Sequence, residues 1–370
     1  MHLEKPKISI WLTGMALFSM FFGAGNIIFP LVVGRSAGTE TPFALMGLSL
    51  SAVAFPFLGL MAMMLYHGNL HGFLSRLGKW PAFVLLFVLQ TTQGPFGCMP
   101  RLFTLMHASI QVYVPGFSLF WFSLSISAVV FLLTFRPSKI IAMLGVVLTP
   151  ALLLSMGILV AIGLAGNPAP IAPTGTSLDH FVEGLKGGYQ TMDLILSLLF
   201  STVVMRHLTA ASSSLSPADA SRFIRNKMLG ASAVAASLLM ITYVGLCWLA
   251  SHYGAPGAPE GILYGIAVQL LGPVGVLIAM IAVFLACLTT AISMAAVFSE
   301  YVRKDLFREK VTPNSALVIT LLATAAVANL GFSGIVRLLG PVLDMLYPAL
   351  IALCLVNIAV RLKNTSSVAK

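Results

Sequence analysis

The stretch FSMFFGAGNIIFP, from Phe18 to Pro30, decides how this sequence folds. It lies within an apolar segment, residues 8–33, that is long enough to cross a membrane as one helix. Gly23, Gly25 and Asn26 fall near its middle. Each glycine in a helix interior costs about 1 kcal/mol relative to alanine, so the sequence predicts a span that unwinds halfway across. The alternative interpretation is close packing of small residues against another helix.

The composition indicates a membrane protein. Of the 370 residues, 58% are hydrophobic and 9% are charged, and the mean hydropathy is +0.98. An ordinary soluble chain has about 25% charged residues. Runs of about 20 apolar residues are typical of helical spans, whereas a membrane β-barrel would show alternating stretches of about ten. We therefore predict an all-α polytopic membrane protein in which residues 1–370 form a single membrane domain.

Apolar stretches bounded by charged residues or by proline and glycine turns predict ten spans. They lie near residues 8–33, 43–66, 81–107, 117–135, 139–165, 181–205, 227–251, 270–299, 312–335 and 338–360.

The basic residues predict the orientation of these spans. With both termini cytoplasmic, the 21 lysines and arginines all lie on the cytoplasmic side except Arg35, Lys186 and Arg337 outside and Arg101 within a span. This asymmetry follows the positive-inside rule. The net charge of +10 is scattered over short loops, so it indicates contact with anionic lipid head groups and not with nucleic acid.

A second interruption, GGYQTMD from Gly187 to Asp193, lies in the sixth span. It is about 18 Å from the outer boundary at 1.5 Å per residue, which is near the midplane. A carboxylate at that depth costs about 2.5–3.5 kcal/mol on insertion scales, so Asp193 is a candidate functional residue. A structural hydrogen bond to a neighbouring helix is the alternative.

The two interruptions lie five spans apart. A unit with an odd number of spans inserts its second copy upside down, as in transporters built from inverted repeats. The sequence therefore predicts a 5+5 inverted repeat with discontinuous helices 1 and 6, the repeats covering about 8–165 and 181–360. Residue identity between the halves is not detectable, so this prediction rests on the positions of the interruptions.

Four strings resemble signatures of the bacterial branched-chain amino acid:cation symporters, which take up leucine, isoleucine and valine. They are FFGAGNIIFP in span 1, GPFGCMPR at Gly94–Arg101, GYQTMD in span 6 and ACLTTAI at Ala286–Ile292. The resemblance implies the sodium-coupled leucine transporter fold, coupling to Na⁺ or H⁺, and a bacterial cytoplasmic (inner) membrane. Two features depart from the family: members commonly have more than ten spans, and LFTLMHA follows Arg101 where a hydroxyl-rich stretch is expected.

An amino-acid carrier needs donors for a carboxylate, acceptors for an ammonium group and an apolar pocket. The amides of Gly23, Ala24, Gly25 and Asn26 are the predicted carboxylate donors. Oxygens of Tyr189, Gln190 and Thr191 are the predicted ammonium acceptors. Because burial gains about 0.8 kcal/mol per methylene, such a pocket separates leucine from alanine but not clearly from isoleucine, valine or methionine.

The predicted cation site combines span 8 with the break in span 1. Adjacent hydroxyls at Thr289 and Thr290 and the Ala286 carbonyl face, by the resemblance, the carbonyls of Ser19 and Phe22. These oxygens favour Na⁺, whereas Asp193 would permit H⁺. The alternative is that both threonines bond to their own helix. No cofactor is predicted beyond the co-transported ion, and the four cysteines indicate neither disulfides nor zinc.

Arg101 in span 3 and Asp344 in span 10 are both predicted to lie toward the outer face. We predict an outer gate closed by this ion pair; separate snorkelling of Arg101 is the alternative.

The sequence thus predicts a secondary active transporter that imports aliphatic amino acids by cation symport. The partners are a small-molecule substrate, a coupling cation and membrane lipids. A channel, or a carrier for another small solute, is the main alternative. An intramembrane enzyme is disfavoured, because the GFSG string at Gly331–Gly334 has no histidine in spans 9 or 10 that could activate Ser333.

Overall fold

A computed structural model describes residues 9–111, 113–135, 149–166, 168–173, 175–255 and 257–368. Within these ranges the regular structure is entirely helical. Several predicted features lie outside the described residues: the cytoplasmic residues Lys5, Lys7, Arg136, Lys139 and Lys370, and the first part of the predicted fifth span.

The described helices form ten consecutive spans. Spans 1 to 5 are Ile10–Phe21 with Ala24–Ala37, Thr41–Ser49 with Phe55–Leu65, Lys79–Gln93 with Cys98–Gln111, Leu119–Thr134, and Thr149–Gly166. Spans 6 to 10 are Ser177–Thr191 with Asp193–Ala211, Pro217–Tyr253, Ile262–Tyr301, Pro313–Ala328 and Gly331–Val368. A π-helical turn, Leu50–Ala54, joins the halves of span 2, and the short helix Leu70–Leu74 precedes span 3. Six helical segments in the described residues are long and apolar enough to cross a membrane, and four shorter apolar helices accompany them.

Spans 1 and 6 are broken, as the sequence predicts. In span 1 the helix stops at Phe21 and a new helix starts at Ala24, with Gly23 in an extended conformation between them. The break in span 6 is narrower than predicted, because the helix continues to Thr191 and only Met192 leaves it, with φ of 63°. Left-handed backbone is unfavourable for a residue with a Cβ, so tertiary contacts must hold Met192 there.

A third break, in span 3, was missed by the predicted continuous span 81–107. The helix ends at Gln93 and restarts at Cys98, with a turn between them. Pro95 lies in this turn and has no N–H to continue the ladder. A Cβ on Gly94 would lie 2.5 Å from the Phe298 ring, so span 8 packs directly against the turn.

Several predicted boundaries need correction. Span 7 begins at Pro217, earlier than predicted, because its polar first turns are also helical. Span 8 begins at Ile262, also earlier than predicted, because helix continues on the N-terminal side of Gly272 and Pro273, near which the prediction placed its start. Span 8 is kinked at Gly272, which has φ of 57° and precedes Pro273. The turn between spans 9 and 10 falls at Asn329 and Leu330, so residues 331–335 belong to span 10 and not to span 9.

Small residues allow spans 2 and 6 to approach closely. A Cβ on Gly184 would overlap the carbonyl oxygen of Ala44, and one on Gly47 would overlap the carbonyl oxygen of Phe181. In lipid, where apolar burial drives association weakly, such backbone contact is a main source of helix packing energy. These contacts fix the first half of span 6 beside span 2.

We expect Gly184→Ala to destabilise the protein by roughly 1–3 kcal/mol or more, because the added methyl group meets backbone that has no room to move. The apparent melting temperature in detergent would fall by several degrees. Gly157→Ala is the matched control: it is also a helix glycine, but a Cβ there would meet nothing within 4 Å. Its stability should be unchanged or slightly higher. Equal melting temperatures for the two variants would contradict this packing.

Candidate functional site

One backbone amide in the break of span 1 is bound by an asparagine side chain of the same span. The Gly23 N–H donates to Asn26 Oδ1 at 3.1 Å, and Asn26 is 1% exposed. This contact uses one of the free amides at the start of the second half-helix. The amides of Ala24 and Gly25 occupy the first two helical positions, which have no acceptor inside their own helix.

One buried hydrogen-bond network joins the two broken spans. Asn26 Nδ2 donates to Asp193 Oδ2 at 2.6 Å and to the Tyr243 hydroxyl oxygen at 2.6 Å. The Tyr243 hydroxyl donates to Asp193 Oδ2 at 3.1 Å, which brings in span 7. Asp193 is fully buried, and its second oxygen, Oδ1, has no hydrogen-bond partner among the described residues. The carboxyl group therefore makes hydrogen bonds to neighbouring helices through Oδ2, as the structural alternative for Asp193 expected, while Oδ1 stays without a partner among the described residues.

Tyr243 was not anticipated from the sequence. A tyrosine hydroxyl in the middle of an apolar span needs a partner, and that is the signal that could have pointed to it. Its partners, Asn26 and Asp193, lie 217 and 50 residues away in sequence.

The predicted substrate residues of spans 1 and 6 lie against each other. A Cβ on Gly25 would lie 2.9 Å from Thr191 Cα and 3.2 Å from the Gln190 carbonyl oxygen. Gly25, Tyr189 and Gln190 are half-buried, whereas Thr191 is buried and its hydroxyl donates to Gly188 O at 2.8 Å. Gly25 of span 1 thus packs against the end of the first half of span 6.

Two of the predicted cation ligands, Thr290 of span 8 and Phe22 of span 1, lie in contact. The Thr290 hydroxyl lies 3.3 Å from Phe22 O and 3.1 Å from Ala286 O. With one proton, it can donate to only one of these carbonyls at a time. The Thr289 hydroxyl donates to Ala286 O at 2.9 Å, as the back-bonding alternative expected. Ser19 Oγ is buried without a partner among the described residues. These oxygens are a donor set that suits a hard monovalent cation.

Arg101 does not pair with Asp344 in this conformation. Its Nη1 donates to Gln190 O and its Nη2 to Gln190 Oε1, both at 3.1 Å. Within the described part of the chain, no carboxylate oxygen lies within 4.0 Å of its guanidinium nitrogens. Arg101 is 1% exposed, so it does not snorkel, whereas Asp344 is exposed. The outer gate therefore stays a prediction for another conformation.

Two residues of span 3, one before and one after the break in that span, donate hydrogen bonds to carbonyls at the break in span 6. Gln93 Nε2 donates to Met192 O at 2.8 Å, and Arg101 holds the carbonyl two residues earlier. These bonds explain how Met192 keeps its left-handed backbone. The role of Gln93 was missed, because its span was predicted to be continuous.

The family model described as branched-chain amino acid transport protein matches residues 6–370. Among curated relatives, the branched-chain amino acid permease BrnQ of Bacillus subtilis (strain 168) is 30% identical over 360 residues, covering 93% of this chain and 79% of the relative.

Solved structures agree with the predicted fold. Mhp1, a nucleobase-cation-symport-1 family transporter in a closed conformation with bromovinylhydantoin bound, aligns with a TM-score of 0.63 and 12% identity over 93% of this chain and 78% of Mhp1. A Na⁺-coupled sialic acid symporter in a substrate-bound outward-open state aligns with a TM-score of 0.58 and 11% identity over 95% and 79% of the two chains. The predicted fold class, two sets of five spans with discontinuous spans 1 and 6, is confirmed. The repeat boundaries stay a prediction.

We expect Tyr243→Phe to destabilise the protein by about 1–3 kcal/mol, because it removes both hydrogen bonds of a buried hydroxyl and leaves the carboxyl group of Asp193 with one donor fewer. Tyr301→Phe is the control, since that hydroxyl is buried without a partner in the described residues. Thermal unfolding in detergent measures the difference. A Tyr243→Phe variant as stable as the control would show that the network contributes nothing to stability.

Proposed function

The chain belongs to the branched-chain amino acid transport protein family, and from that premise we propose that it imports leucine, isoleucine and valine by symport with Na⁺. Methionine, with a similar apolar volume, is the further substrate that such a pocket would accept. The membrane would be a bacterial cytoplasmic membrane, with both termini on the cytoplasmic side, as the basic residues predict.

The observation that carries this proposal is the position of Thr290 against the carbonyl of Phe22. That carbonyl belongs to the end of a half-helix, which bears partial negative charge. In our proposal, Na⁺ binds there between spans 1 and 8, held by oxygens of Ser19, Phe22, Ala286, Thr289 and Thr290. A bound ion would fix the first half of span 1 against span 8.

The substrate carboxylate is proposed to bind at the start of the other half-helix, where the Ala24 and Gly25 amides have no acceptor in their own helix and the partial charge is positive. The ammonium group would lie near the oxygens of Tyr189, Gln190 and Thr191. Since two residues separate the two half-helices of span 1, cation and substrate would share one piece of backbone. This arrangement would couple their binding.

Asp193 is the feature that would instead support coupling to H⁺. Its Oδ1 is buried and unpartnered among the described residues, so it could accept a proton as well as help to orient the network of Asn26 and Tyr243. We favour Na⁺, because Asp193 Oδ2 is already held by two donors.

A cavity of about 440 Å³ offers a release route on the predicted cytoplasmic side. Its lining includes Gln90 of span 3, Leu199 of span 6 and Val297 of span 8. We propose that substrate leaves through this cavity once the break in span 6 at Met192 moves.

The direct test is uptake of labelled leucine, isoleucine, valine and methionine into proteoliposomes under an imposed Na⁺ or H⁺ gradient. We expect accumulation driven by inward Na⁺ and not by a proton gradient alone. No uptake of any of the four under either gradient would refute the proposed function. Accumulation driven by protons without Na⁺ would refute only the choice of ion.

The channel alternative predicts a different result in counterflow. In a carrier, preloaded unlabelled leucine accelerates the entry of labelled leucine, whereas a channel gives no such acceleration. We expect acceleration, since we propose a binding site that is reached alternately from the two sides.

We expect Thr290→Val to raise the Na⁺ concentration for half-maximal uptake by about tenfold or more, since it removes one oxygen ligand at nearly constant volume. Thr320→Val is the matched control, because its hydroxyl is equally buried but donates only to Ala316 O of its own helix. Uptake is measured over a series of Na⁺ concentrations. An unchanged Na⁺ dependence in Thr290→Val would remove this residue from the cation site.

A further inference from the structure

Arg101 is a buried cation whose anion is missing from the described residues. Its guanidinium is held by two neutral oxygens of Gln190, and its Nε–H is buried without an acceptor in the part of the chain that the structure describes. Removing a charge from water costs several kcal/mol unless an opposite charge and hydrogen bonds compensate. Amide oxygens compensate only partly, so this position favours an anion that arrives from outside the chain.

Two candidates among the described residues, Asp344 and Asp193, do not supply this anion. Asp344 is exposed and makes no ion pair with Arg101 within 4.0 Å. Asp193 is buried, but its Oδ2 is held by Asn26 and Tyr243, and neither of its oxygens lies within 4.0 Å of the Arg101 guanidinium nitrogens. Neither carboxylate contacts the guanidinium.

The guanidinium lies near Gly25, at the start of the second half of span 1. One oxygen, Gln190 O, is 3.1 Å from Arg101 Nη1 and 3.2 Å from the position that a Cβ on Gly25 would take. A carboxylate that replaces the Gln190 side chain on Arg101 would therefore lie next to the start of the second half of span 1.

The Gln190 side chain is a contact of Arg101 that a carboxylate could replace. Gln190 is half-buried, so its side chain is not enclosed on every side, and its Oε1 occupies the place that a carboxylate oxygen would take on Nη2. Hydrogen bonds between arginine and a carboxylate are about twice as strong as those between neutral groups. An incoming carboxylate would therefore displace the Gln190 side chain from Arg101.

We infer that Arg101 binds the α-carboxylate of the transported amino acid, and that the Gln190 side chain holds this place until the substrate displaces it. This inference rests on the proposed function. It adds a charged ligand from span 3 to the amides of span 1 and makes Gln190 a residue that moves on binding.

The test compares leucine with leucinol, which keeps the ammonium group and the side chain but lacks the carboxylate. Affinities are measured with purified protein by competition against labelled leucine or by calorimetry. We expect the preference of the unmodified protein for leucine over leucinol to fall by about 10- to 100-fold in Arg101→Gln. Arg101→Lys keeps the charge but not the planar fork, so it should restore part of the preference.

A second pair of variants does not depend on the stability of Arg101→Gln. Gln190→Glu places a permanent carboxylate on Arg101, so we expect a higher apparent melting temperature and at least tenfold weaker leucine binding. Gln190→Ala removes the competing side chain, so it should keep the preference for leucine over leucinol.

The outcomes separate this inference from the proposed function. The inference is overturned if the unmodified protein binds and transports leucine but Arg101→Gln lowers the affinities for leucine and leucinol equally. Arg101 would then only position Gln190. Unchanged leucine affinity in Gln190→Glu also overturns it. If the unmodified protein binds none of the aliphatic amino acids, the proposed function itself has failed.

Discussion

Backbone groups released by a helix break at membrane depth must find partners within the protein, because lipid offers none. In this chain the partners come from other spans or from the break itself. Asn26 accepts from the Gly23 amide, Thr290 approaches the Phe22 carbonyl, and span 3 provides Gln93 and Arg101 for the carbonyls of span 6. The irregular centre of the molecule persists because these contacts replace the missing helical bonds.

The same contacts place opposite partial charges close together. The first half of span 1 ends in carbonyls, and the second half begins with amides only two residues later. A cation and a carboxylate that bound there would each stabilise the arrangement that the other needs, which is the physical basis of the proposed coupling. The network of Asn26, Asp193 and Tyr243 would carry any displacement of span 1 to spans 6 and 7.

Close approach of backbones makes this centre possible. Gly25 lies against Thr191, and Gly184 lies against Ala44, at distances that leave no room for a side chain. Polar residues then act as the specific connections between helices that glycine has brought together. Among these connections Arg101 carries a positive charge, and its two hydrogen-bond partners are both neutral oxygens of Gln190.

The sequence by itself determined the span count, the breaks in spans 1 and 6 and the family, since long apolar runs, mid-span glycines and a carboxylate within an apolar run are local signals. It also predicted Thr290 and Gln190 as site residues, and these roles stay predictions. Only the tertiary structure decided that span 3 is broken, that Tyr243 joins the network, and that Arg101 turns to Gln190 and not to Asp344. Those outcomes depend on which spans lie side by side, and hydrogen bonds between residues 50 to 217 positions apart leave no periodicity in the sequence.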